Sequence, residues 1–174
     1  MIALIFLILQ LLMAGFFLFL CLAFVTGGPF VPSTKHSVEA MIKLAKLRPG
    51  QTVIDVGSGD GRVLLEAAKQ GANSVGIEIN PYLVHYTRLR AFLSPYRGRV
   101  RVLWKNLWKA DLHDADVVFV YLIPWKMDVL AKKLQEETKP GTLIVSNTFI
   151  FPHWKIVRKD VKHHIYAFTI TGQK

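Results

Sequence analysis

The stretch Asp55-Val-Gly-Ser-Gly-Asp-Gly61 constrains the fold more than any other part of the chain. It follows Thr52-Val-Ile-Asp-Val56, a short apolar run with strand character, and precedes a segment from about Gly61 to Gln70 with helical periodicity. Three glycines in five positions let the backbone turn sharply and come close to a ligand where a Cβ would collide. The N–H groups at the start of the following helix are free to face that ligand. Ser74-Val-Gly-Ile-Glu-Ile79 reads as a second strand, which places Glu78 about twenty residues beyond the glycines. From that position an acid reaches ribose hydroxyls in nucleoside-binding α/β folds.

The remaining elements extend the same pattern. A helix starts near Ser33 or Ser37, either of which can cap it, and Pro49-Gly50 closes it. Pro81 opens another helix that runs towards Leu93. Arg99 to Trp104 is a third strand. Asp116 to Ile123 is an almost continuous apolar run, as expected of a central strand buried on both faces. Lys126 to Thr138 is helical and Thr142 to Ser146 a fifth strand. The runs 155–161 and 164–171 are too close together for a crossover helix, so they form an antiparallel hairpin. The expected fold class is α/β: a Rossmann-like, doubly wound, mostly parallel sheet with an antiparallel C-terminal hairpin.

Charge divides the chain. No charged side chain occurs from Met1 to Thr34, so the net charge of +10 belongs entirely to the stretch from Lys35 onward. The apolar run from Ile2 to about Val25 predicts an N-terminal transmembrane helix, since about 20 apolar residues cross a bilayer. It lacks the basic start and the A-x-A site of a cleaved signal peptide. Lys35, Lys43, Lys46 and Arg48 follow it, which predicts a single-pass membrane protein with the domain beyond the helix on the cytoplasmic side. The expected organisation is an anchor over 1–26, a linker over 27–34 and one domain over 35–174. The single cysteine, Cys21, excludes a disulfide framework, and the histidines show no metal-ligand spacing, so no metal is expected.

The glycine spacing separates two cofactor classes. Dinucleotide sites use G-x-G-x-x-G, whereas here the third glycine comes one residue early and Asp55 and Asp60 flank the loop. Two carboxylates suit a sulfonium and a zwitterionic methionine tail better than a diphosphate. Asp55, Gly57, Ser58, Gly59, Asp60, Gly61 and Glu78 are therefore the candidate cofactor residues, with S-adenosylmethionine as the expected cofactor. A nicotinamide oxidoreductase and a non-catalytic nucleoside-binding module remain as alternatives. Tyr121, at the end of the central apolar run, Asn147 and Trp154 are candidates for orienting an acceptor.

Asp55–Gly61 resembles motif I of the class I, seven-strand methyltransferases, and Gly76-Ile-Glu-Ile-Asn80 resembles their acidic second-strand motif. More narrowly, Pro29-Phe-Val-Pro-Ser33, Asp55–Arg62, Gly76–Pro81 and Ser146-Asn-Thr-Phe-Ile-Phe-Pro-His-Trp154 are similar to the membrane-anchored lysine methyltransferases of the ATP synthase c-subunit and adenine nucleotide translocase, with their prokaryotic relatives. That resemblance implies methylation of lysine side chains on membrane or membrane-proximal proteins, attachment to the membrane through the N-terminal helix, and no nucleic-acid partner. It also implies Ser33, with Phe30 and Pro32, over the cofactor, Ile79 beside it, and Asn106 and Leu107 at its adenine. Asn106 stands where such enzymes commonly carry an acid. A small lipid or quinone-like acceptor is the alternative within the same reaction class.

Overall fold

The protein is described by a computed structural model covering residues 2–26 and 30–171; within the first helix the side chains of residues 2, 16 and 18–26 lie outside the description. The chain divides into two compact units, Met1–Val31 and Pro32–Lys174.

The first unit contains α1, Ile2–Thr26. Among the described residues no helix is long and apolar enough to cross a membrane. This finding corrects the expected transmembrane helix, and with it membrane attachment through that helix and the single-pass, cytoplasm-facing localisation. The side chain of Cys21 and residues Gly27, Gly28 and Pro29 fall outside what is described.

The second unit is a mixed seven-stranded α/β sheet. Its strands are β1 (Thr52–Val56), β2 (Asn73–Glu78), β3 (Val100–Trp104), β4 (Val117–Val120), β5 (Leu143–Asn147), β6 (Ile156–Asp160) and β7 (Ile165–Thr169), in the order β3-β2-β1-β4-β5-β7-β6. β1 to β5 are parallel, whereas β7 runs antiparallel to β5 and β6 antiparallel to β7. The turn between β6 and β7 is too short for a crossover, which forces the antiparallel pair.

Helix α2 (Lys35–Ala45) precedes β1, while α3 (Arg62–Lys69), α4 (Pro81–Leu93) and α5 (Met127–Glu137) connect β1 to β2, β2 to β3 and β4 to β5. Met41 and Ala45 of α2 and Val63 and Ala67 of α3 pack with Val53, Phe119, Val145 and Ala167 on one face of the sheet. Leu64 of α3 meets Val84 of α4 and Val102 of β3. Leu130 and Leu134 of α5 cover Ile54, Val118, Val120 and Ile144 on the other face. Alternate residues of β1 and β4 thus feed opposite faces, so β4 is buried throughout and β1 at every position after Thr52.

Three local expectations change. Thr34, rather than Ser33 or Ser37, caps α2: its Oγ1 accepts from Ser37 N at 3.1 Å. α2 ends at Lys46 in the left-handed region, φ 51°, before Pro49-Gly50 is reached. β4 stops at Val120, because β5 pairs with it only as far as Ser146 and a short helical turn starts at Pro124. Leu122 remains buried; the apolar run continues as core after it has ceased to be strand. His163 and His164 lie in the β6–β7 turn, with His164 at φ 55°.

Candidate active site

The strand order reverses between β1 and β4, so the crevice beyond their carboxyl ends is where an α/β sheet receives a ligand. The glycine loop lies there. Gly57 has φ 81°, and a Cβ built on it would meet nothing within 4 Å, leaving room beside the backbone. Gly61 has φ 75°, and a Cβ on it would lie 2.2 Å from Thr87 Cγ2. Only glycine serves there, because helix α4 is seated directly against the loop. Thr87 completes the contact by donating from Oγ1 to the Gly59 carbonyl at 2.9 Å.

Glu78 fixes the loop from the neighbouring strand. Its Oε2 accepts from Gly59 N at 2.9 Å and its Oε1 from Asn80 N at 2.8 Å. Each carboxylate oxygen keeps a second lone pair for a ligand hydroxyl. Asn80 in turn caps α4, accepting from Tyr82 N and Leu83 N. One acid therefore sets the loop and the start of the next helix together.

Asp55 is 6% exposed and Glu78 8%. Burial, joined by the charges of Glu78 and Asp60, pushes the Asp55 carboxyl up from 3.8 to about 7. A cation bound beside these acids would reverse that shift, while a diphosphate would aggravate it. Ser58 adds a buried Oγ with no hydrogen-bond partner. That hydroxyl lies over Gly76 of β2, and the space beside Gly57 together with the buried acids fits a cationic, polar-tailed ligand.

Asp60 does different work. Arg62 donates to Asp60 Oδ1 from Nε at 2.9 Å and to Oδ2 from Nη2 at 2.7 Å, while Arg90 approaches Oδ2 at 3.3 Å. Burial alone would raise Asp60, but the hydrogen bonds and charge of Arg62, with the charge of Arg90, hold it below its ordinary value. Arg90 also donates to the Asp60 carbonyl at 2.6 Å. The carboxylate is thus turned towards two arginines and braces the loop.

Ser33 and Asn147 meet: Asn147 Nδ2 donates to Ser33 Oγ at 3.0 Å. Arg62 Nη1 donates to the Ser33 carbonyl. Tyr121 immediately follows Val120, the partner of Ser146, and so stands beside Asn147 at the carboxyl ends of β4 and β5. Its ring stacks on Phe149 with centroids 6.5 Å apart. Between Asn147 and Phe149, Thr148 has φ 69°, an uncommon conformation for a β-branched residue. Phe149 N bonds back to the Asn147 carbonyl at 2.8 Å, closing a tight turn. Backbone strain of this kind costs about 1–3 kcal/mol and gathers at functional sites.

Asn106 caps a short helical turn, its Oδ1 accepting from Trp108 N at 3.0 Å. Leu107 is buried in the core below β1 and β4. Ile79 is partly exposed, and its carbonyl accepts from Trp104 Nε1 at 3.0 Å. These three lie near the ends of β2 and β3, on the far side of Glu78 from Asn147. Trp154, by contrast, stacks on Phe151 at 4.5 Å and belongs to the core beneath the site.

The pattern of residues along the chain does not single out Arg62, Thr87, Arg90 or Thr148 as part of the site. Thr87 and Arg90 are three positions apart on one helix, a spacing that puts both over the glycine loop once α4 is known to pack there. Nothing local announces the turn at Thr148.

The model of the ANTKMT methyltransferase domain matches residues 55–158, more than half of the chain. The chain belongs to that family. The lysine N-methyltransferase of the ATP synthase c-subunit from Rattus norvegicus is 40% identical over 126 residues, covering 72% of the chain and 58% of that protein. The chain therefore spans less than two thirds of such relatives. A protein-lysine N-methyltransferase of Saccharolobus islandicus is 30% identical over 161 residues, covering 88% of the chain and the whole of that relative. Among solved structures, an RNA methyltransferase from Salinibacter ruber, in complex with S-adenosyl-L-homocysteine, aligns with TM-score 0.79 and 35% identity over 83% of the chain and 96% of its own. The family's domain accordingly includes the glycine loop, Glu78, the strand ends bearing Tyr121 and Asn147, and the strained turn.

Proposed function

We propose that the protein is an S-adenosylmethionine-dependent N-methyltransferase that methylates lysine side chains of proteins, with residues 35–174 as its methyltransferase domain and 27–34 as a linker. The observation that carries the cofactor is the buried pair Asp55 and Glu78 at a glycine loop with open space at Gly57. The acceptor reading is supported by the relatives named as lysine methyltransferases, one of them matched along its entire length. Membrane or membrane-proximal proteins are the first acceptors to test.

The bound cofactor supplies an electrophilic methyl group on a sulfonium. The chain's part is alignment and exclusion of water. In this reading Gly57, Ser58, Gly59 and Gly61 face the methionine end, with Asp55 charge-complementary to its cation. Glu78 takes the ribose hydroxyls, and Ile79, Asn106 and Leu107 border the base. Asp60 braces the loop through Arg62 and Arg90. Tyr121 is the residue proposed to orient the lysine amine, which must be neutral to attack although its ordinary pKa is about 10.4. Ser33 and Asn147 act together at the edge of the loop.

Calorimetry with S-adenosylmethionine, with Gly59→Arg as the control that fills the loop, tests the cofactor. Binding of nicotinamide dinucleotides in its place would overturn the reading. Labelled methyl transfer offered to protein, extracted lipid and RNA in parallel tests the acceptor. RNA is included because the Salinibacter protein is an RNA methyltransferase and this chain carries a net charge of +10. Label in lipid or RNA but not in protein lysine would refute the acceptor assignment.

A further inference from the structure

Asn147 occupies the last position of β5, is buried, and commits its side-chain amide twice. Nδ2 donates to Ser33 Oγ at 3.0 Å, and Oδ1 accepts from Thr148 Oγ1 at 3.1 Å. The backbone around it is fixed from several sides. Thr148 N donates to the His164 carbonyl at 2.8 Å, and Ser146 Oγ to the Phe149 carbonyl at 2.6 Å. Such a web is what keeps Thr148 in the left-handed region.

Ser33 is held on its other side by the first turn of α3, where Arg62 donates to its carbonyl. Arg62 is itself locked on Asp60, inside the glycine loop. The segment from Pro32 to Thr34 therefore runs between the end of β5 and the loop after β1. Pro32 stiffens one end by its fixed φ, and Thr34 ties the other as the cap of α2. The two bonds join residues 114 and 29 positions apart; neither is a local convenience of the chain.

We propose that residues 32–34 form a strap latched at Ser33, and that Asn147 is a positioning residue which holds the strap closed beside the glycine loop and so sets how long the cofactor stays bound. The inference rests on the S-adenosylmethionine reading above. It assigns Asn147 a role different from contact with the acceptor amine, since its amide is engaged by Ser33 and Thr148 before any acceptor arrives.

The test uses the full chain and S-adenosylhomocysteine as probe, with affinity from calorimetry and dissociation from stopped flow. Ser33→Ala and Asn147→Ala should each speed dissociation by about three- to tenfold, the scale of one lost hydrogen bond. Ser33→Thr, which keeps the hydroxyl, should restore the slow rate. The double alanine variant should be no faster than Asn147→Ala, because both substitutions remove the same bond. In turnover the KM for cofactor should rise in step, with the larger effect there than on kcat. Unchanged dissociation in Ser33→Ala and Asn147→Ala would overturn the proposal. So would a hundredfold fall in kcat for Asn147→Ala with dissociation unaltered, which would put Asn147 on the amine. If Asn147→Ala does not fold, Ser33→Ala decides alone. A wild-type protein that binds the probe yet methylates no protein would sink the lysine reading and leave the strap standing.

Discussion

Replacing Asp55 by asparagine separates the electrostatics of the site from its shape, because the two side chains are nearly isosteric. In the free protein the Asp55 carboxyl is raised from 3.8 to about 7 by burial and by its acidic neighbours Glu78 and Asp60. The folded state therefore holds this proton more tightly than the unfolded chain does. The resulting stability is fully present below about pH 4 and is lost as pH rises through about 7. A difference of about three pKa units corresponds to roughly 4 kcal/mol, a large share of the ~5–15 kcal/mol that holds a domain together. The substituted amide has no proton to lose. Asp55→Asn should therefore gain on the wild type by up to roughly 4 kcal/mol between pH 4 and pH 8, read from urea denaturation at several pH values without ligand. On the proposed cofactor placement, the same variant should bind S-adenosylmethionine more weakly at pH 8, having lost a negative charge beside the sulfonium and ammonium. Near pH 7 wild-type binding should release about half a proton, measured by calorimetry in buffers of different ionisation enthalpy. Parallel stability curves for the two proteins would refute the buried-acid argument, whatever the binding data show.

Other perturbations address different parts of the site. Gly61→Ala places a Cβ 2.2 Å from Thr87 Cγ2 at φ 75° and should cost about 2 kcal/mol or more; adding Thr87→Ser, which removes Cγ2 and keeps the hydroxyl bond to Gly59, should recover part of it in chemical denaturation. Gly76→Ala puts a Cβ 2.5 Å from both Leu64 Cδ1 and Ser58 Oγ, and should lower stability by about 1–3 kcal/mol while weakening cofactor affinity measured by calorimetry. Asp60, whose folded pKa is depressed, contributes stability present above its ordinary range near pH 4 and lost as pH falls through the lower folded value; Asp60→Asn should flatten that acid-side loss in a pH-stability profile. Tyr121→Phe should reduce kcat tenfold or more with S-adenosylhomocysteine affinity within twofold of wild type, and equal losses in both would remove Tyr121 from the acceptor side.

Much of the sheet was legible because its signals are local. The apolar run before the glycine loop and Pro81 at the start of α4 mark their elements directly, and β1 and α4 lie where the pattern put them. Where an element's end depends on a neighbour, the local pattern overran. β4 stops at Val120 although apolar residues continue to Ile123, since strand pairing is a property of two segments' registers and hydrophobicity of one. The run at residues 2–25 has composition enough for a transmembrane helix, yet among the described residues no helix is long and apolar enough to cross a membrane.

The site divides in the same manner. The order of glycines and acids from Asp55 to Glu78 was sufficient by itself to specify a strand-loop-helix and to favour S-adenosylmethionine over a dinucleotide, because cofactor class depends on backbone clearance and charge along a few consecutive positions. Which acids stand unpaired by a basic side chain was decided only by packing: Asp55 and Glu78 are buried without one among the described residues, while Asp60 is claimed by Arg62 and Arg90. The joining of Ser33 to Asn147 is likewise invisible along the chain, since it spans 114 residues and exists only when the segment before α2 reaches the carboxyl end of β5. Spacing selects the chemistry of a loop; the long-range contacts of a fold determine which of its side chains remain free to use it.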